Sequence, residues 1–369
     1  MTIQYPDYSH CLVNLACSIQ KHFGLEIRHA TLPLLDVLLE KKYTNVVLML
    51  FDGMGSDALI HHLPEDSFLR RHCTAEISSV FPPTTTAAVT SVESGLTPAE
   101  HGWLGWSLYF SAIDKIVNAL TNTEEGTGIQ VAKYHVAEKY LPYKNIVDKI
   151  NESGKAMAYS VSPFGTNRVH QHDDLYAEVK KLCSADGRKY IYTYWYEPDR
   201  SMHDKGCYSK DAGDWITAVS SKVEELCGSL RDTLVIVTAD HGHCNLHYDM
   251  ISEHPDIENM MERPIAIECR AACFYVKPEY RSQFPDAFYR AFGDDFLLLT
   301  RREVMDRKLF GDGNAHPLLE ELAGDFLAIA ISDVGIVQHH ASNRFVSHHA
   351  GMTAQEMKIP FIVFETNDR

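Results

Sequence analysis

Short runs of apolar, β-branched residues alternate along this chain with longer amphipathic stretches, the pattern of βα units laid onto a parallel sheet. The clearest strands are expected at Asn45–Phe51, Ala156–Ser162, Tyr190–Tyr196 and Leu234–Thr238, and later ones at Ala271–Val276, Phe326–Ala330 and Phe361–Phe364. Helical periodicity falls near Thr31–Lys41, Thr86–Ser94, Tyr143–Ser153 and Asp214–Leu230. The chain has no internal repeat and no low-complexity stretch. An α/β fold follows, with a mostly parallel central sheet and helices on both faces. The stretch from His243 to Asn343 is too long for a loop. Residues 244–343 are therefore expected to insert further strands and part of a lid, with Glu258–Arg263 as the lid candidate, into one domain spanning 1–369.

Composition narrows the classes. Apolar residues make up 45% of the 369 and charged residues 23%, which excludes disorder, collagen and coiled coil. Lys+Arg 34 against Asp+Glu 50 gives a net charge of −16, so there is no polybasic stripe to grip duplex nucleic acid. A phosphorylated ligand would need bound metal ions to attract it. The opening MTIQYPDYSHCLVNLACSIQ lacks a basic n-region, and no signal peptide is expected. The densest apolar run, Val46–Phe51, is far short of the roughly 18 residues of a membrane span, and no membrane partner is expected. Nine cysteines without a Cys-x-x-Cys pair argue against a disulfide framework and a zinc ribbon. They predict reduced, mostly buried thiols in a cytoplasmic protein.

Three of the early strands run straight into polar residues: Asp52 after the first, Glu197-Pro198-Asp199 after the third, Ala239-Asp240-His241 after the fourth. Ligands of open α/β sheets bind at the carboxyl ends of strands, so Asp52, Asp199 and Asp240 share one rim. Asp240-His241 offers an acid and an imidazole at one strand end. Asp199 and His203 are four apart and share a face on a helical turn. Behind Asp52, Gly53 and Gly55 allow a tight turn. Singly, each of these is as well explained by a solvated turn or a helix cap. In SSVFPPTTTAAVTSVESG, three threonines open a small-residue helix, where N–H groups and the dipole favour an anion. A metal beside such a hydroxyl would make it a nucleophile. His348 and His349 stand before the last expected strand.

In order, these elements run strand–Asp, Pro-Thr-Thr helix start, strand–Asp-x-x-x-His, strand–Asp-His and His-x-Gly, from Asp52 to His349. That order resembles the alkaline-phosphatase superfamily, and within it the type I phosphodiesterase/nucleotide pyrophosphatase branch. The resemblance implies an alkaline-phosphatase-like fold and two divalent metal ions, zinc with manganese as the alternative. Asp199, His203 and His349 would hold one ion, His349 being preferred to His348 because His349-Ala350-Gly351-Met352-Thr353 fits the family's motif. Asp52, Asp240 and His241 would hold the other, with the nucleophile completing it. Counting back from Ser94-Gly95, the nucleophile falls on Thr85, with Thr84 and Thr86 one residue either side. The sequence departs from the pattern at Ala88, an asparagine in nucleotide pyrophosphatases, so that position offers a phosphate no side-chain donor.

The implied reaction is hydrolysis of a phosphodiester or pyrophosphate bond through a covalent phospho-threonine, and the implied ligand a small phosphorylated molecule, with nucleotides among the candidates. Two divalent ions against three carboxylates leave about one positive charge, which suits a monoanionic diester. No Lys or Arg lies between Arg71 and Lys115, so the nucleophile's own stretch adds no cation. Trp103 or Trp106 could stack on a base, although packing at the core edge is the plainer account of both, and His243 could approach the site. The alternatives are a phosphomonoesterase or phosphomutase on the same scaffold, and a catalytically inert zinc-binding module. A sulfatase lacks its Cys/Ser-x-Pro-x-Arg context here, and a bare α/β domain would bind no stoichiometric metal.

Overall fold

The computed structural model describes residues 1–339 and 345–366; positions 340–343 of the expected insertion lie outside the described residues. A seven-stranded sheet forms the centre. Across it the order is Cys73–Ser78, Lys358–Glu365, Thr233–Thr238, Asn45–Phe51, Lys189–Trp195, Met157–Ser162 and Asn167–Arg168. Lys358–Glu365 runs antiparallel to both of its neighbours, and the remaining pairings are parallel. Every residue of Asn45–Phe51 and Thr233–Thr238 is buried, so both faces of the sheet centre are covered, which is why these strands read as unbroken apolar runs.

A second sheet is wholly antiparallel, in the order Phe296–Thr300, Phe326–Ala330, Ala271–Phe274, Ala266–Glu268, Ser107–Phe110, Lys115–Asn118 and Thr123–Glu124. Four of its strands come from the 244–343 stretch and three from 107–124. Phe274, Phe284, Phe288 and Phe326 pack one against another beside it. The Glu258–Arg263 segment leaves the Pro255–Met260 helix, and the Arg263 guanidinium lies 3.8 Å over the Tyr109 ring. Among the described residues no helix is long and apolar enough to cross a membrane.

The sequence pattern misses several elements. The Leu12–His22 helix buries Asn14, Ser18 and Gln20 along with its apolar residues, so it shows no clean polar face. Cys73–Ser78 alternates because one face of this edge strand is solvated.

One buried ion pair joins the second sheet to the C-terminal elements of the first. Arg270, between two strands of the second sheet, gives Nε to Glu356 Oε1 at 2.6 Å and Nη2 to Oε2 at 2.7 Å, and neither side chain is exposed. Its remaining donors reach Val334 O and Ser332 O at 2.9 and 2.8 Å. Glu356 also accepts from Gly351 N at 2.7 Å and from Thr353 Oγ1 at 2.6 Å, pinning the loop that follows His349. Removing one partner of a buried pair strands the other charge. Glu356→Ala is expected to lower unfolding free energy by about 3–5 kcal/mol in urea denaturation of the metal-free protein, with Glu356→Gln losing less.

Candidate active site

The first three parallel strands to carry polar exits deliver their side chains to one place. Asp52 follows Asn45–Phe51, and its backbone O accepts from Asp199 N at 3.0 Å. Asp199 opens a helix ending at Lys205, one turn of which brings His203 Nε2 to 3.4 Å from Asp199 Oδ1. Gly53 has φ +72°, and a Cβ there would meet His243 Cδ2 at 2.9 Å, so both the turn and the close approach need glycine. At Gly242 a Cβ would meet Gln355 O at 2.0 Å. That close packing lets His241 and His243 both enter the site.

Two groups of ligand atoms result, each with all members within 4.8 Å of one another: Asp199, His203, His243 and His349, and Asp52, Asp199 and His241. Asp199 belongs to both, a sharing that strand-by-strand reading of the sequence does not reveal. Asp240 lies at the edge of the second group. Its Oδ1 accepts from Gly53 N and His241 N at 3.0 Å each, while Oδ2 is buried without a hydrogen-bond partner, 3.5 Å from His241 Nε2. Of the three threonines, Thr85 reaches this group: its Oγ1 is 3.4 Å from both Asp52 oxygens and 3.3 Å from His241 Nε2. Thr84 donates to Glu268 at 2.7 Å instead, and Thr86 Oγ1 is buried with no partner. Tyr194 donates to Asp52 Oδ2.

Hydrogen bonds fix the state of the imidazoles. Nδ1 of His203, His349 and His241 contacts the carbonyl of Ser347, Pro83 and Gly242 at 2.8, 3.2 and 3.1 Å. A carbonyl only accepts, so Nδ1 carries the hydrogen and a neutral ring turns its Nε2 lone pair toward the carboxylates. Lone pairs facing lone pairs, with an orphaned Asp240 oxygen among them, fit a divalent cation, and nitrogen plus carboxylate oxygen is a donor set suited to zinc. Titration behaviour shows that the carboxylates demand positive charge beside them. Burial and the charge of Asp199 raise the Asp52 carboxyl, and burial and Asp52 raise Asp240 far more. Burial opposes a proton on His241, yet Asp240 and Asp52 outweigh it and hold the ring up at about 10, so without an ion its Nε2 also carries a hydrogen, in the place a metal would take. Burial and neighbouring imidazoles push His243, His348 and His349 well down. Among the described residues, Asp52, Asp199 and Asp240 ion-pair with histidines and with no Lys or Arg.

A model of the type I phosphodiesterase/nucleotide pyrophosphatase family matches residues 46–282, well over half of the chain. The chain belongs to that family. Solved structures similar to this one include murine ectonucleotide pyrophosphatase/phosphodiesterase 5, at 17% identity and TM-score 0.65 over 88% of each chain. The human form is 15% identical with TM-score 0.66, over 88% of this chain and 90% of its own. A phosphonoacetate hydrolase from Sinorhizobium meliloti 1021, in complex with phosphonoformate, is 17% identical with TM-score 0.63, over 87% and 90%. These likenesses show the shared fold, a mixed, mostly parallel sheet with a second antiparallel one. No curated protein matches the chain by sequence. As a member of this family the protein is a hydrolase, with two His/Asp groups able to hold metals.

The family's site leaves some residues unread. Trp103 is buried, its indole N–H donating to Leu141 O at 2.8 Å, which is a core role. Trp106 is 43% exposed. Ala88 is fully buried in the first core cluster, so the departure there concerns packing. Glu268 had no sequence signal, since it comes from the second sheet, 184 positions from Thr84. Its Oε1 accepts from both Thr84 Oγ1 and Trp106 N, at 2.7 and 2.8 Å. The preceding Ile267 has φ +75°, a costly conformation for a β-branched residue. By engaging Thr84, Glu268 keeps the usual N-cap hydroxyl off the Thr85–Ser94 helix, which has no side-chain cap. The first helical bond is Ala88 N to Thr84 O, so the N–H groups of Thr85, Thr86 and Ala87 stand ahead of it, available to an anion.

Burial holds the Glu268 carboxyl at about 7 against an ordinary 4.5. Between those values the unfolded chain has released a proton that the folded one keeps, so the stability this group contributes is full below 4.5 and lost as pH rises to 7. The stability difference between the metal-free protein and Glu268→Gln should therefore shift against the wild type by up to about 3 kcal/mol across that window, measured by urea unfolding at several pH values.

Proposed function

We propose that this protein is a metal-dependent phosphodiesterase or nucleotide pyrophosphatase that cleaves its substrate through a covalent phospho-Thr85. The observation that carries the reading is the Thr85 hydroxyl, at a helix start and within 3.3–3.4 Å of Asp52 and His241. Asp52, Asp240 and His241 would hold one divalent ion and Asp199, His203 and His349 the other. When bound, such ions lower a hydroxyl's pKa and neutralise charge on the transferred phosphoryl group.

Thr85 Oγ1 attacks phosphorus in line as its proton passes to an acceptor such as Asp52. The bond from phosphorus to the leaving oxygen breaks, and the leaving group departs on the side opposite Thr85. N–H groups of Thr85, Thr86 and Ala87 meet the charge that develops on the phosphoryl oxygens. Water then attacks the phospho-threonine, so that the phosphorus–Oγ1 bond breaks and the Thr85 hydroxyl is restored. A site whose carboxylates have, among the described residues, no Lys or Arg partner favours the single charge of a diester over the double charge of a monoester. Nucleotides are the favoured substrate class, since an inactive form of murine ectonucleotide pyrophosphatase/phosphodiesterase 5, 17% identical with TM-score 0.64, is known in complex with AMP.

The test is hydrolysis of bis-p-nitrophenyl phosphate beside p-nitrophenyl phosphate after metal reconstitution. The diester should be preferred, and Thr85→Ala should cost at least about a thousandfold in kcat. Preference for the monoester would instead indicate a phosphatase or mutase. Two bound ions with no turnover of either ester would leave a binding module.

A further inference from the structure

His243 stands where the family's ligands, as carried over from the sequence, require nothing, yet of the three imidazoles paired with Asp199 it is the nearest. Its Nε2 lies 2.5 Å from Asp199 Oδ1, against 3.4 Å for His203 and 3.8 Å for His349. The side chain has no exposure. Its other nitrogen, Nδ1, is 3.1 Å from Ser347 Oγ. That hydroxyl has one hydrogen, which it gives to Met202 O at 2.6 Å. Ser347 Oγ must then accept from His243 Nδ1–H, and a neutral His243 presents a bare Nε2 to a carboxylate oxygen. Two lone pairs at 2.5 Å repel unless a proton or a metal ion stands between them, and Asp199, His203, His243 and His349 together form a group able to hold the latter.

The three rings surround the carboxylate in the manner of a coordination shell. His203 and His243 meet edge to face at 79° with centroids 4.7 Å apart, and His243 and His349 at 75° and 5.1 Å. The space for the His243 ring is the space left by the missing Cβ of Gly53. His241 and His243, two positions apart across Gly242, turn to the two different groups.

We propose that His243 is a fourth protein ligand of the ion held by Asp199, His203 and His349, giving that ion a closed donor set of three nitrogens and one oxygen. The inference rests on the two-metal reading above. Four protein ligands fill a tetrahedral site, as in structural zinc centres, whereas catalytic ions keep a position open. The two sites are then unequal: the His243 ion is tightly held and positions Asp199, and the open positions for substrate lie beside Thr85. Ser347 is a positioning residue for His243, through the Nδ1 hydrogen bond.

The test is metal binding to the chelator-stripped full chain, by calorimetry with Zn2+ against a competing chelator, together with the visible spectrum of Co2+ titrated into it. The wild type should bind two ions of clearly different affinity, the tighter giving the intense absorption of tetrahedral Co2+. His243→Ala should weaken the tighter ion by about 100-fold or more and Ser347→Ala by about tenfold, with the weaker ion unchanged and the tetrahedral band lost or diminished in the first variant. Unchanged melting of the metal-free variants separates ligand loss from misfolding, and His243→Gln repeats the test if the alanine variant does not fold. Wild-type affinities and spectrum in His243→Ala would overturn the proposal and leave His243 as an ion-pair partner of Asp199. A wild type that binds two unequal ions but hydrolyses no ester would sink the enzymatic reading while leaving this assignment standing. A wild type that binds no ion would overturn both.

Discussion

The site depends on a guanidinium and a carboxylate sealed from water. Arg270 and Glu356 are costly to bury, and the structure offsets that cost by giving the guanidinium four short hydrogen bonds and the carboxylate five donors. What the pair secures is the turn Ala350-Gly351. Ala350 sits at φ +89° with no exposure, a backbone state that a residue with a side chain holds only where its surroundings over-determine it. Glu356 supplies that constraint by taking Gly351 N, and His349 is aimed at the ligand cluster as a result. An ion pair between the second sheet and the C-terminal elements therefore sets the direction of a candidate ligand more than ten residues from any strand of the second sheet.

Around that frame, the ends of parallel strands gather three carboxylates that, among the described residues, no Lys or Arg answers. Low local dielectric makes their mutual repulsion expensive; it holds a proton on His241, while His203 and His349, with Nδ1 engaged by carbonyls, turn Nε2 toward the acids. The protein is electrostatically unfinished there, and a pair of divalent cations is the simplest completion. The overall charge of −16 also draws cations toward it. Glu268 adds a finer control, since an acid that engages the Thr84 hydroxyl leaves the start of the Thr85 helix bare.

The sequence made the centre of the sheet visible for a physical reason. Asn45–Phe51 is buried on both faces, so its pattern is an uninterrupted apolar run, and its observed limits coincide with the expected ones. Strand exits were readable because Asp52, Asp199 and Asp240 follow such runs directly, and the α/β architecture came from the same alternation. The edge strand Cys73–Ser78 and the short strands of 107–124 carried too little periodicity to stand out. Arg270, Glu268 and the sharing of Asp199 belong to contacts between distant segments, and no local pattern encodes them. Trp103 shows the reverse failure: an aromatic beside the candidate nucleophile's helix invites a ligand, but its ring is buried and its indole N–H donates to Leu141 O.

The Lys358–Glu365 strand lies second in the sheet, wedged antiparallel between Cys73–Ser78 and Thr233–Thr238. A ribosome delivers it after every other strand of that sheet. Until it arrives, Cys73–Ser78 has no place in the ladder, the Thr233–Thr238 edge is open, and His349 has not been positioned. The nascent chain thus passes through a stage with a partly built sheet and a cluster of acids lacking its last imidazole. Long-range pairing of this kind is slow to form and leaves strand edges exposed meanwhile. The Asp199 group is consequently complete as a candidate metal site only late, after the final strand has closed the sheet.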